Sequence, residues 1–575
     1  MKIVKPRTVV VATILSLLVV RADALSSEVP DLILSGGHVR VADGWAEGLA
    51  VRRGVIVAIG SSVDIRALAG AKTQRIELDG ATVIPGLHDV HVHPTFAGII
   101  ERACKIAQGA DLATLIGRVR SCSEAAPDGA WITGGQWDAP ALGAVPDRRA
   151  LDAVTGTHPA YIEDTSGHSV WVNSKALEIA GITRDTPNPV GGVIEHDAAG
   201  RPTGVLREDS ALDLVRRHQP TPDRPALLSA LSWSLREMLS HGITSYTEAS
   251  VGFVGGSQPE IDVYDALADE NLLKPRATLC IKWDPADLEA EKVIRNRNLY
   301  ARERVKIDCV KIFLDGVPTD SHTAAMIKPY AELVAGRDDE ASRRGLLFMA
   351  QPDLDAAVTR FDAMGLTVKF HAAGDGAVRA GLNAIEAARR ANGYSGQMHD
   401  VGHCTFVAPE DILRARGIGA TFEVSPYLWG PSPINDSITS AVGAARIERV
   451  WPVREMIDAG ALVVPGSDWA VVPSVNPWHG IEQLVTRQKL GGSFTSFGPK
   501  EAISFGEALD LFTINAARQE RTSDRLGRVA VGYLADLVVV RENPFEIPAT
   551  QLHDVHVRMT LVGGEVVWKD AESSR

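Results

Sequence analysis

Apolar and polar positions along the chain fall into two textures. From Asp31 to Asp79 they alternate in short runs, DLILSGGHVR, LAVRRGVIVAIG and TQRIELDG, broken by Gly-Gly and Arg-Gly pairs. A period of two with glycine-bearing turns predicts antiparallel hairpins. The same texture returns near the C-terminus in ADLVVVRENPF and VHVRMTLVGGEVVWKD. Neither set has enough strands to bury a face alone. The two ends are therefore expected to pair into one small composite β-sandwich, residues 25–81 with 526–575.

Between 82 and 525 the pattern changes to continuous apolar runs separated by stretches of helical period, such as LSALSWSLREMLSHG and GAVRAGLNAIEAARRANG. Eight runs read as buried strands: ATVIPGLHDVHVH, GITSYTE, RATLCI, CVKIFL, LTVKFHA, HDVGHC, IGATFEV and LVVPGSDW. Strand–helix alternation predicts an α/β fold with a parallel sheet covered on both faces. Eight units fit a TIM-like (β/α)8 barrel, with an open doubly wound sheet as the alternative. The first run is followed by a long excursion, about 100–240, with the turns GGQWD and SGHSVWVNS. That length without structure is implausible, so a folded insertion over one end of the barrel is expected.

Composition narrows the function classes. The 575 residues are 45% hydrophobic and 23% charged, enough apolar material to exclude global disorder. A net charge of −13 without a basic stripe argues against a nucleic-acid partner. Residues 1–24 begin with Lys2, Lys5 and Arg7, continue through an apolar run from Val9 to Val20, and end in Ala22-Asp23-Ala24. That order reads as a secretory signal peptide, with an uncleaved membrane anchor as the alternative. The run falls short of the roughly 20 residues a spanning helix needs, and no later stretch is apolar enough to span. The mature chain is expected to start near Leu25 and to be secreted or periplasmic. Five cysteines are an odd number, so at least one has no partner within the chain; Cys104 with Cys122 is a conceivable bridge. Sixteen histidines beside five cysteines suit an imidazole metal site better than a disulfide framework.

The sharpest chemical signal is PGLHDVHVHP. His91 and His93 are two apart on a strand-like run, so both imidazoles project from one face, with Cα atoms roughly 6.5–7 Å apart. Asp89 shares that face and could orient a ring N–H. His371, His403 and Asp468 each close a separate candidate strand. In a parallel barrel those ends meet at one mouth. Four neutral imidazoles and a carboxylate suit one or two divalent ions, zinc first, with manganese or iron as alternatives. Lys311 lies inside CVKIFLDG, where burying an ammonium is costly. Two readings stay open for it: a carbamate bridging two metals, or an ion pair with Asp315 or another acid at the mouth. A bound cation would supply hydroxide near neutral pH, and Asp468 would carry the proton from water to a leaving nitrogen.

These residues resemble the amidohydrolase superfamily, specifically the amidohydrolase family 3 branch that includes N-substituted formamide deformylases. The similarity runs from about 31 to 570, through VIPGLHDVHVHP, WITGGQWD, GHSVWVNSKAL, GVLRE, HGITSYTEAS, VKIFLDG, HAAGDGAV, GSDWAVVP and GYLADLVVV. It implies that His91, His93, His371, His403 and Asp468 hold the metal centre and that Lys311 matches a carboxylated lysine. Trp137, Asp138, His168 and Asn173 resemble the insertion's motifs and are expected over the mouth, with Trp137, His168 and Asn173 as substrate-binding candidates. Asp375 would orient a ligand or cap the next helix. One departure stands out: Gly402 precedes His403 where the family usually has a glutamate, removing an acid beside the ligand. The expected activity is metal-dependent hydrolysis of a non-peptide carbon–nitrogen bond in a small molecule. Deamination of a cyclic amidine, or an inactive binding protein of the same fold, are the alternatives. A homo-oligomer is compatible with the chain.

Overall fold

The eight apolar runs become strands because they are buried on both faces, so no polar alternation is needed to place them. The computed structural model describes residues 29–107, 109–331 and 343–571. The expected signal segment, 1–24, lies outside the described residues. The barrel strands are β1 (Leu87–Val92), β2 (Ile243–Val251), β3 (Arg276–Lys282), β4 (Val305–Phe313), β5 (Thr367–Ala372), β6 (Asp400–His403), β7 (Thr421–Val424) and β8 (Leu462–Pro465). They pair in chain order, every pair parallel. The ring is drawn together where Asp468 N–H donates to His91 O at 2.7 Å and His93 N–H to Trp469 O at 2.6 Å. Gly466 permits that approach, since a Cβ there would stand 2.2 Å from His91 Cβ.

The run ATVIPGLHDVHVH is divided between two sheets. Thr82–Pro85 pairs with Leu537–Val540 and with Leu32–Val41, whereas Leu87–Val92 is β1. The terminal sheet thus extends past residue 81, to Pro85. Its order is Glu565–Lys569, Val557–Val562, Leu537–Val540, Thr82–Pro85, Leu32–Val41, Gly44–Arg52 and Val55–Gly60, with Gln74–Glu77 also on Leu32–Val41. Leu34, Leu49 and Ile56 from one end share a core with Leu537, Val539 and Leu561 from the other, so the sheet curls over itself.

The insertion is a separate six-stranded sheet with strands from Cys104–Lys105 to Pro202–Arg207. It is shorter than the sequence suggests. The helix Arg224–Ser240 packs Leu227, Leu231, Leu235 and Met238 into the barrel core, and Ser234 Oγ donates to Pro94 O at 2.6 Å. Cys104 and Cys122 are bonded within the insertion, and Cys280 joins Cys309 across β3 and β4, a pairing the sequence did not suggest. Cys404 is buried and free. Among the described residues no helix is long and apolar enough to cross a membrane.

Candidate metal centre

The strand period aims His91 and His93 at one rim, and the barrel brings the other donors to them. His91 Nε2 lies 3.5 Å and His93 Nε2 3.3 Å from Asp468 Oδ1, while His403 Nδ1 lies 3.7 Å from Asp468 Oδ2. Donor atoms of His91, His403 and Asp468 all fall within 4.8 Å of one another. The His371 ring is 4.7 Å from that of His403, centroid to centroid. All five residues, with Lys311, line one cavity of about 990 Å3. Asp468 holds its place with φ of 62°, a left-handed conformation that aspartate tolerates better than most residues.

Partners around the donors fix their rings. His91 Nδ1 is 2.5 Å from Glu423 Oε2, His93 Nδ1 3.4 Å from Glu248 Oε1, His371 Nδ1 3.2 Å from Asp315 Oδ1, and His403 Nδ1 3.0 Å from Ser425 Oγ. Carboxylates on the far ring nitrogen are the usual means of orienting a metal-binding imidazole. Burial, with help from nearby cations, holds His91, His371 and His403 well below the ordinary histidine value, so these rings are neutral. Burial opposes charge on His93 too, but the Asp468 and Glu248 carboxylates raise it to about 9. Neutral imidazoles beside a carboxylate are a donor set that suits a divalent cation.

Lys311 adds a second indication. It is 1% exposed, and its Nζ has no hydrogen-bond partner among the described residues. Burial lowers it to about 8. The expected pairing with Asp315 does not form, because Asp315 is committed to His371 and to the N–H groups of Ala325, Ala373 and Gly374. Its register neighbour Lys369, fully buried, is instead paired at 2.8 Å with Asp400 and 3.2 Å with Glu423, whose charges raise it.

Glu423 also answers the departure at Gly402. A Cβ on Gly402 would stand 2.3 Å from Glu423 Oε2, so the glycine leaves room for an acid that arrives from the next strand. Glu423 and Glu248 escaped the sequence reading. The available signal was an acid inside a buried apolar run, TFEV and SYTEAS.

Other candidates part company. His168 lines the cavity, its ring 4.9 Å from His371 and its Nδ1 2.8 Å from Glu208 Oε2. Trp137 and Asn173, expected to bind substrate, do not line it. The Trp137 indole donates to Ile162 O at 2.8 Å inside the insertion's core. Asn173 accepts from Ala160 and Ala176 N–H and donates to Thr155 Oγ1 and His158 O, capping the helix Ser174–Ile179. Asp138 accepts from Gly109 N–H at 3.0 Å. Asp89 holds the backbone N–H groups of His91 and Ser467 rather than a ring. Asp375 accepts from Ile327 N–H, tying a loop to its helix.

A parallel eight-strand barrel with imidazoles and a carboxylate at its C-terminal rim is the architecture of a metal-dependent hydrolase. Residues 74–568 match the model of the amidohydrolase family, and the chain belongs to that family. It is 27% identical to the amidohydrolase YtcJ of Bacillus subtilis, covering 91% of this chain and 96% of that one. It is 24% identical to the N-substituted formamide deformylase of Arthrobacter pascens, over 94% of this chain and 98% of the other. In fold it resembles a metal-dependent hydrolase from Pyrococcus horikoshii, with a TM-score of 0.69, 21% identity, and coverage of 90% and 99%.

Proposed function

We propose that this protein hydrolyses a non-peptide, amide-type carbon–nitrogen bond of a small molecule. The observation that carries the reading is the meeting of His91, His93, His371, His403 and Asp468 at one rim of one cavity. Kinship to an N-substituted formamide deformylase supports the bond type. His91, His93, His371, His403 and Asp468 would hold the cation, zinc by the donor set, with Lys311 as the candidate carbamate between two ions. When bound, such a cation lowers the pKa of water toward about 7 and polarises a carbonyl.

The chain's own groups do the rest. Asp468, beside His91, His93 and His403, accepts the proton of the attacking water and returns it to the departing nitrogen. Glu423 and Asp315 hold the rings of His91 and His371, and Glu248 stands 3.4 Å from that of His93. His168, oriented by Glu208, presents its other ring edge to substrate. The N-terminal segment supports action outside the cytoplasm, in a secreted or periplasmic setting.

The test is turnover of N-formyl, N-acyl and ester substrates by zinc- and manganese-loaded protein, with amine and acid products measured. Amide cleavage is expected. Failure on every amide, together with ammonia release from a cyclic amidine, would replace this reading with deamination.

A further inference from the structure

The cavity is far larger than a formyl group requires, and its walls are not alike. About 990 Å3 lies at the upper end for sites that take drug-sized ligands. On the β3 side stands a charged chain: Lys282 Nζ is 3.0 Å from Asp209 Oδ2, and Arg216 Nη2 is 2.8 Å from Asp209 Oδ1. Lys282 also sits over Phe253 and Phe313, at 5.3 and 5.7 Å from their centroids. Those rings stack on His93 and His371 respectively, so the ammonium lies beside the donor cluster. An ammonium has three donors, and Asp209 is the one acceptor bonded to this one among the described residues.

Across the mouth aliphatic side chains predominate, with Asn435 among them. Ile434 and Ile438, one turn apart on the helix Pro433–Val442 that follows β7, line the cavity with Trp451, Val471 and Val472. The N–H groups of Val471 and Val472 both donate to Asp468 O, so this wall begins at the proton-carrying residue itself. In a ring of eight strands β3 and β7 stand opposite each other. The donor cluster therefore lies between a charged side and an aliphatic side.

We infer that the substrate is an amphiphilic amide that straddles the cluster, with an apolar arm on the Ile438–Val472 wall and an acceptor-bearing polar arm at Lys282. The inference rests on the hydrolase reading and deepens it. An apolar arm covers the half-buried Ile434 and Val471, behind which Ile438 and Val472 are buried, and the polar arm satisfies the spare donors of Lys282.

Two matched substrate series test it with metal-loaded protein, one varying the acyl chain on a fixed polar amine, the other varying an alkylamine on a fixed polar acyl group. In one series kcat/KM is expected to rise about fourfold per methylene until the wall is filled. Ile438→Trp is expected to shift the optimum to shorter chains and to cut the longest substrate at least tenfold, with Val472→Phe as the same test should the first variant not fold. Lys282→Met is expected to lower kcat/KM at least tenfold while the dependence on chain length persists. Equilibrium binding of alkyl hydroxamates of the same lengths to zinc-loaded protein reads the apolar wall without turnover. Flat series in both kinetics and hydroxamate binding would overturn the inference and leave the hydrolase reading standing if short amides are cleaved. Hydroxamate binding that tightens with length while no amide is cleaved would overturn the reaction and keep the wall.

Discussion

Gly402 is small because Glu423 needs its space. Alanine there would push the carboxylate off His91 and Lys369, leaving a buried ammonium with one acceptor and a donor ring without its anchor. Gly402→Ala is expected to weaken metal affinity 10–100-fold, the usual cost of losing a ring-orienting partner, as read by competition with a chelator. Asp468→Asn separates ligation from proton transfer. The amide keeps an oxygen for the cation but cannot accept a proton, so metal content should persist while turnover falls by several orders of magnitude. Full activity in that variant would assign the proton to another group. At this scale the sequence brought out the residues that the barrel gathers at one rim, because a histidine or aspartate closing an apolar run is conspicuous. It concealed the partners, because Glu423 on β7 reaches His91 on β1 across the closed barrel, a contact no local pattern encodes.

Elements were legible where burial dictates them. The eight barrel runs read correctly as strands because apolar residues on both faces leave few other structures. Boundaries were less visible. The run 82–92 crosses from one sheet to another at Gly86, where a Cβ would meet Thr244 Oγ1 at 2.1 Å, and nothing in its hydrophobicity marks the crossing. Arg224–Ser240 looked like part of the insertion because the helical period does not say which core a face will meet. Asn173 was misread for a related reason, since its motif lies beside His168 but its amide turns inward. Asn173→Ala removes a helix cap and a bridge to Thr155 and His158 together. It is expected to cost about 2 kcal/mol or more, seen as a lower urea midpoint, with KM for any substrate unchanged. A raised KM at full stability would return Asn173 to the substrate.

For the whole molecule, the pairing of the two ends is the least local fact. Alternation near both termini suggested partnership because each set was too small alone, yet the order of strands could not be foreseen. Leu537–Val540 lies between Thr82–Pro85 and Val557–Val562, with its four residues fully buried. A chain ending at Val529 would expose the edge of Thr82–Pro85 and strip Leu537, Val539 and Leu561 from the shared core. It is expected to be recovered as aggregate and to be digested rapidly by protease, whereas a soluble, resistant product would show that the barrel stands by itself.

The position of Leu537–Val540 also sets a schedule for biogenesis. The ribosome makes Thr82–Pro85 about 450 residues before the strand that must lie against it. Throughout that interval the nascent chain carries an unsatisfied backbone edge immediately ahead of the first barrel strand, His91 and His93 included. The first barrel strand, which carries His91, thus follows directly on an edge that only a strand near the C-terminus covers.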